Sequence, residues 1–290
     1  MVPSTEYTKP HKASSKIIEE LREKGLSIQD EEYAIRFIDG VGYSRLRIYL
    51  QSRRDLSKLT KPFHANVTFR EIADIYLMDE KLRALVFPYC ARIEVIFRNS
   101  VSEVLTKQYG PHPYQCDIFK SDTSAQDAMK LMSEVYFAKL SQDQRARHYF
   151  KKYGQPTLPP IWTMKEFFTF EKASRFYGCL NDSIKVEISR RMNIDVANHD
   201  ILTSWIKSII DLRNVCAHHD RLFNRKFQKQ PQNLRKADIF VDADNKKLAG
   251  ILKCIDHLGG NYFQQFDSFS KARGIINANK YVAFKEAGFL

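Results

Sequence analysis

The chain has 290 residues, of which 43% are hydrophobic and 12% aromatic, so it has the composition of a globular protein and not of a disordered chain. No apolar run is long enough to cross a bilayer, and the polar, lysine-rich N-terminus is unlike a signal peptide, so we expect a cytoplasmic protein without a membrane partner. The five cysteines lack the paired spacing of metal ligands, and we expect reduced thiols, no metal and no cofactor.

Hydrophobic residues recur at helical spacing along most of the chain and predict an all-α fold. In the N-terminal part we predict helices over residues 15–25 and 43–52. Between them we predict a helix that Ser27 caps and that has Asp30 and Glu31 in its first turn. Thr68 and Glu71 form a possible capping box for a helix over residues 68–78, and a long helix over residues 79–109 contains Pro88, which should kink it.

Further helices are predicted in the remainder of the chain, over residues 124–140, 163–178, 181–192, 198–217, 247–266 and 269–278. Residues 156–160 read as a loop, and residues 237–245 as a short hairpin or an irregular segment. We predict a polar arm with a short helix over residues 1–26, a main helical domain over residues 27–225, and a helical extension over residues 226–290 that packs on the same domain.

Most of the net charge of +12 is concentrated in two stretches. Residues 42–62 hold six cations and one acid, and residues 221–236 hold six cations and no acid. Such clustering is typical of proteins that bind polyanions, although two solvated basic faces are the simpler interpretation of either stretch alone. The candidate contacts to the polyanion are Arg45, Arg47, Arg53, Arg54, Lys58, Arg221, Arg225, Lys226 and Lys229.

Residues 213–218, Arg-Asn-Val-Cys-Ala-His, combine side chains that suit phosphodiester chemistry at the end of an amphipathic helix. Arg213 is a permanent cation with a planar donor fork, and His218 can exchange a proton near neutral pH. On an ideal helix the two side chains diverge by roughly 140°. Either the helix loosens near Ala217, or a site needs a second copy of the motif. A surface arginine with a histidine that caps the helix is the structural alternative.

A metal site at His218, His219 and Asp220 is a weaker hypothesis for the same segment. Adjacent histidines diverge on a helix, and no His-x-x-x-His pair or nearby carboxylate pair completes a ligand set. His219 is therefore interpreted as a packing or supporting residue.

Several motifs occur in an order that one family shares, and together they are more specific than any one of them. They are Gly-Tyr-Ser-Arg-Leu-x-x-Tyr at residues 42–49, Ile-x-x-Ile-Tyr-x-x-Asp-x-x-Leu-Arg at residues 72–83, Ile-Glu-x-x-x-Arg at residues 93–98, Tyr-Gly at residues 109–110, and Arg-Asn-x-x-x-His at residues 213–218. Residues from about Glu32 to Arg225 thereby resemble the abortive-infection (Abi, AbiD/AbiF-like) phage-resistance proteins, a branch of the HEPN superfamily. Ser44 and Met78 depart from the family's usual aromatic residues.

The resemblance implies a HEPN-like helical array with additional peripheral helices, and an endoribonuclease that needs no metal. It implies that Arg213, Asn214 and His218 are catalytic, that Glu94 pairs with Arg213, and that Arg98 is a second phosphate contact. It further implies RNA as the partner and a role as a toxin, which in some relatives is restrained by a cognate small RNA. Because one histidine cannot easily make both proton transfers and the chain carries one full motif, we expect a homodimer with a composite active site. A non-catalytic RNA-binding member of the family is the alternative, and a purely structural helical adaptor would not need the clustered charge.

Overall fold

The computed structural model describes residues 10–194, 199–234, 238–264 and 266–290. Within these ranges the chain forms thirteen α-helices, a short 3-10 helix over Pro113–Gln115, and isolated β-bridges without a sheet, which confirms the predicted all-α class. The helices are α1 Ser14–Glu23, α2 Glu31–Val41, α3 Tyr43–Gln51, α4 Phe69–Tyr109, α5 Asp122–Lys139, α6 Gln144–Lys152, α7 Ile161–Phe167, α8 Phe170–Cys179, α9 Asp182–Arg191, α10 Asp200–Ala217, α11 Leu248–Gly259, α12 Ser268–Asn277 and α13 Phe284–Ala287.

Several predicted helix boundaries differ from the structure, and the helix predicted over residues 247–266 ends already at Gly259. Asp30, and not Ser27, caps α2, because its carboxylate accepts the Tyr33 amide at 2.9 Å. The helices predicted over residues 68–78 and 79–109 are one helix of 41 residues, with Pro88 inside it. The helix predicted over residues 163–178 is divided into α7 and α8, because Thr169 leaves the helical conformation and caps α8.

Two short helices, α6 and α13, escaped prediction. The sequence of α6, Gln-Arg-Ala-Arg-His-Tyr-Phe-Lys-Lys, is strongly polar, and only Ala146 and Tyr149 are buried in it. Residues 238–245 form turns and not a strand, and residue 237 lies outside the described residues.

The chain divides into two compact units, and the boundary falls inside α4, between Lys81 and Leu82. The first unit comprises the chain up to Lys81 together with Asn277–Val282. Its core contains Leu46, Tyr49 and Ile72, and the Tyr49 hydroxyl donates to the buried carboxylate of Asp79 at 2.6 Å. The predicted domain boundaries near residues 26 and 225 stay predictions.

The second unit comprises Leu82–Ile276 and Ala283–Leu290, and α10 packs in it against α8 and α11. Leu202, Trp205, Ile209 and Leu212 of α10 are fully buried. Burial of one such side chain contributes roughly 1.5–3 kcal/mol to the stability of the fold. This apolar face therefore fixes the orientation of α10 about its own axis. The face thereby also fixes the direction in which the polar residues of α10 project.

None of the helices in the described ranges combines the length and the apolar character that a membrane span requires.

Candidate active site at the end of α10

The helix α10 ends at Ala217 in a tight turn that contains both histidines of the motif. His218 is the C-cap, with φ −88° and ψ 7°, and His219 has a left-handed backbone with φ 56°. The His219 amide donates to the Cys216 carbonyl at 3.1 Å, and the Asp220 amide donates to the Val215 carbonyl at 2.9 Å. This pair of bonds is a Schellman motif, whose left-handed position is usually glycine, so His219 adopts a backbone conformation that costs free energy.

His218 stays in the helical register although the helix ends before it. Its amide donates to the Asn214 carbonyl at 3.0 Å, as in the helix interior. The side chain is exposed, and none of the described residues forms a hydrogen bond or ion pair with it. The divergence of roughly 140° between Arg213 and His218 therefore persists at the end of α10.

Arg213 is half-buried against α4 and keeps a charge that no carboxylate neutralises within the described parts of the chain. Its guanidinium carbon lies 5.5 Å from the centre of the Phe87 ring, and its Nη1 donates a long hydrogen bond of 3.5 Å to Oδ1 of Asn214. A guanidinium held by a ring face and an amide retains donors and charge for an anionic ligand.

The predicted ion pair between Glu94 and Arg213 is wrong. Glu94 lies instead 3.9 Å from Nη1 of Arg98, four residues further along α4. Phe87, which Arg213 contacts, precedes Glu94 by seven residues, or about 10 Å along a helix. Glu94 therefore pairs with Arg98, its i, i+4 neighbour on the same helix, and not with Arg213.

Arg98 stabilises the end of α7. Its Nη1 donates to the Phe168 carbonyl at 2.7 Å and to the Lys165 carbonyl at 3.4 Å. A cation at the last carbonyls of a helix is favoured by their partial negative charge. These contacts give Arg98 a structural function, and the predicted phosphate contact loses its support.

Arg83 is a site residue that the sequence interpretation did not select. It is only 5% exposed, and its Nη1 donates to the carbonyl of Asp220 at 3.3 Å, directly after the two histidines. Arg83, Phe87 and Cys90 share one face of α4 at spacings of four and three residues. Burial raises the pKa of the Cys90 thiol well above its usual range, the Cys216 thiol raises it further, and Arg213 opposes both. One face of α4 thus supports the whole motif, and Leu82-Arg83 in the motif at residues 72–83 was the available signal.

The first basic stretch, residues 42–62, contains exposed and engaged arginines. Arg47 and Lys58 are exposed, and so is Arg45. Arg53 is enclosed: its side chain is 13% exposed, its Nε donates to Glu71 at 2.8 Å, and its Nη2 donates to the Tyr281 carbonyl at 2.6 Å. The structure therefore argues against the prediction that Arg53 contacts RNA.

Arg54 is also partly withdrawn from solvent. Its guanidinium lies over the Phe63 ring at 4.5 Å, and burial lowers the pKa of this arginine, an effect that Tyr43 opposes. Glu71, the expected partner in a capping box, bonds to Thr68 through its amide but gives its carboxylate to Arg53.

The second basic stretch, residues 221–236, lies in the second unit with the motif. Lys226 and Lys229 are exposed, whereas Arg221 and Arg225 are half-buried and Arg225 lies 5.7 Å from the Phe227 ring centre. Phe227 is buried and anchors this segment through its amide, which donates to the Lys246 carbonyl at 2.8 Å. Residues 235 and 236, the last two cations of the stretch, lie outside the described residues. No three His, Cys, Asp or Glu side chains in the described ranges are grouped so that they could hold a metal ion.

Comparison with known families identifies the class of protein. The family model described as Abi-like protein matches residues 36–224, well over half of the chain, and the chain therefore belongs to this family. Membership confirms the resemblance seen in the sequence and assigns the protein to abortive infection, a form of phage defence. No match was found among curated proteins or among solved structures.

Proposed function

We propose that this protein is an RNA-binding endoribonuclease that needs no metal and acts as a toxin in abortive infection. The observation that carries the proposal is the geometry at the end of α10. Arg213 has no carboxylate partner in the described ranges, and His218 projects from the cap with an exposed, unbonded side chain. A guanidinium without a carboxylate partner and an imidazole at the end of the same helix suit binding of phosphate and transfer of a proton.

In the proposed reaction the RNA cleaves itself at a positioned phosphate. The 2′-oxygen forms a bond to phosphorus while the bond from phosphorus to the 5′-oxygen breaks. A base removes the proton of the 2′-hydroxyl, and an acid gives a proton to the leaving 5′-oxygen. The products are a 2′,3′-cyclic phosphate and a 5′-hydroxyl end.

Each motif residue has a distinct role in this reaction. His218 transfers the proton, and Arg213 stabilises the negative charge that develops on the phosphoryl oxygens. Asn214 holds the guanidinium through its Oδ1 and shares the end of α10 with both groups. His219 shapes the turn that presents His218.

A homodimer supplies what one chain lacks. One histidine cannot easily act as base and acid in the same step, and Arg213 and His218 diverge on α10. A two-fold axis near the end of α10 brings two copies of each residue to one cleft. The exposed position of His218 supports such an arrangement.

A non-catalytic RNA-binding protein is the second candidate, and the exposed Arg47, Lys58, Lys226 and Lys229 favour it equally. In either case the proposal includes a cognate small RNA as a stable partner and restraint. Sequencing of the nucleic acid that accompanies the purified protein would identify such an RNA.

The deciding experiment is cleavage of RNA by the purified protein, with the chemistry of both new ends determined. We expect a 2′,3′-cyclic phosphate and a 5′-hydroxyl, undiminished activity in EDTA, and no cleavage where a 2′-deoxy nucleotide occupies the cut position. The variant His218→Ala should bind RNA and not cut it. Cleavage that EDTA abolishes, or products with a 5′-phosphate, would overturn the mechanism. Strong binding of cellular RNA without cleavage of any RNA would favour the second candidate.

A further inference from the structure

The second unit contains an open groove of about 630 Å³ that no part of the proposed reaction uses. It lies between α6, the loop over residues 153–160 and the start of α7. Its volume is in the range of sites that hold a small molecule or a nucleobase. None of the residues that line it belongs to α10 or to either basic stretch.

Exposed aromatic rings line this groove. Trp162 is 46% exposed and Tyr153 is 45% exposed, which is unusual for such large side chains on a globular protein. Tyr153 is supported from behind by Tyr149, whose ring centre lies 5.1 Å away and whose hydroxyl donates to the Pro156 carbonyl at 2.7 Å. The groove therefore presents two partly exposed aromatic side chains, and one of them, Tyr153, packs against Tyr149.

One cation, Arg145, lines the groove, and further cations lie on the same helix. Helix α6 carries Arg145, Arg147, Lys151 and Lys152 and no acidic residue. Lys152 lies 5.4 Å from the centre of the Tyr153 ring, so a cation and a stacking surface adjoin each other. Arg145 lines the groove and shares its charge with the capping residue Asp143, at 2.8 Å.

His112 adds a hydrogen-bond acceptor to the same groove. The Tyr114 hydroxyl has one proton, which it donates towards the carbonyls of Leu158 and Pro159 at 2.5 and 3.0 Å. His112 must therefore donate from Nδ1 to the Tyr114 oxygen, at 2.6 Å, and burial lowers the pKa of this imidazole. The neutral ring keeps Nε2 as an acceptor, which matches the amino groups of unpaired bases.

We propose that this groove binds an unpaired segment of RNA, with a base stacked on Trp162 or Tyr153 and the phosphates beside the cations of α6. Aromatic faces combined with cations are the means by which proteins hold single strands, because every base has a face to stack. An apolar peptide would not require Arg145 in the groove and Lys152 beside Tyr153. The proposal rests on the proposed function for the choice of RNA over DNA, and it adds a binding site apart from the motif.

Trp162 provides a direct measurement. The chain has two tryptophans, and Trp205 is fully buried with its Nε1 donating to the Gln232 carbonyl. We would titrate the full-length protein with a fluorescein-labelled single-stranded 2′-O-methyl RNA of mixed sequence and with its duplex. Stacking of a base on Trp162 should quench the tryptophan emission, and fluorescein anisotropy should give the affinity independently.

We expect Trp162→Ala and Tyr153→Ala each to weaken single-strand binding at least about fivefold. Trp162→Phe should bind almost as the wild type does but lose the quenching. Phe150→Ala is the matched control, because Phe150 is on α6 and 60% exposed but does not line the groove, and its affinity should stay within about twofold. If Trp162→Ala fails to fold, Tyr153→Ala carries the test, since Tyr153 lies beyond the last turn of α6.

Unchanged affinity in folded groove variants would overturn the proposal and leave the groove to a peptide. An equal loss for the duplex and the single strand would also overturn it, because stacked bases in a duplex are closed to the rings. A 2′-O-methyl strand has no free 2′-hydroxyl, so the binding result does not depend on cleavage. Cleavage of unmodified RNA by the wild type is measured separately, which distinguishes a failure of the proposed catalysis from a failure of the groove.

Discussion

The buried guanidinium of Arg83 donates to the main-chain carbonyl of Asp220 at 3.3 Å and ties α4 to the turn that presents His218. Four residues further along α4, Phe87 supports the guanidinium of Arg213. The same helix therefore holds both ends of the motif. A residue that touches neither RNA nor the reacting atoms can thus control how the motif is positioned.

Replacement of Arg83 should disturb this support. We expect Arg83→Met to lower the free energy of unfolding by about 2 kcal/mol, because the hydrogen bond of a buried guanidinium to a main-chain carbonyl is lost. RNA cleavage should fall more than the folded fraction does, and Arg83→Lys should recover part of both. Thermal unfolding and cleavage rates would check this. The control is Arg92→Met on the same helix, where Arg92 is exposed and the expected change is under about 0.5 kcal/mol. Equal effects of both variants would contradict the role of Arg83.

The left-handed backbone of His219 predicts a difference between glycine and alanine at this position. Glycine adopts φ 56° without strain, whereas alanine is strained there by its Cβ atom. The variant His219→Gly should therefore be more stable than His219→Ala by about 1 kcal/mol. Denaturant unfolding of the two variants measures this difference. Alanine as stable as glycine would mean that the turn relaxes and does not hold His218 in place. Comparison of their cleavage rates then separates the effect of the turn from that of the imidazole.

Arg213 and Glu94 should behave as independent residues. Arg213→Ala should abolish cleavage at a cost in stability below about 1 kcal/mol, because Glu94 keeps Arg98 as its partner. Arg213→Lys should also cleave poorly, since an ammonium lacks the planar donor fork. Glu94→Gln should change the cleavage rate less than about twofold. A loss with Glu94→Gln as large as that with Arg213→Ala would show that the two residues do pair in the active protein.

Sequence periodicity predicted the helical class and the C-terminal end of α10, because the apolar face of that helix is regular. It did not predict α6, which has only two buried residues, or the contacts of the long charged side chains. Arg53 meets Tyr281 across 228 positions of sequence, and nothing local indicates that contact. Glu94 had two plausible partners, and the nearer one on its own helix was favoured. Charge counts therefore located the basic stretches without separating free cations from those that stabilise the fold.

The exposed cations of the two basic stretches should contribute to RNA affinity through counterion release. We expect the pair Arg47→Glu and Lys58→Glu, and separately the pair Lys226→Glu and Lys229→Glu, to weaken RNA binding. Each pair should reduce the slope of log affinity against log salt by at least about 1.4, if both cations meet phosphates of a single strand. Binding titrations between low and high salt give the slope.

Controls separate these contacts from net charge and from folding. The pair Lys107→Glu and Lys130→Glu changes the net charge equally at exposed positions outside both stretches, and it should leave the slope nearly unchanged. Arg53→Glu should instead lower the free energy of unfolding by about 2 kcal/mol, because it places a second carboxylate beside Glu71. Equal slopes for the test and control pairs would identify the stretches as solvated faces.

If the active site is composite, a His218→Ala chain should inactivate the wild-type chain with which it forms a dimer. If one cut needs the histidine of one protomer as base and that of its partner as acid, a mixed dimer with a single His218 lacks one proton carrier. Co-expression with two different tags allows purification of this mixed dimer, and its cleavage rate should be below about one tenth of the wild-type rate. Two independent sites would give about half. The mass of the wild-type protein in solution, measured first, must be that of a dimer. A monomer that cleaves RNA, or a mixed dimer with half the wild-type rate, would place the complete catalytic group within one chain.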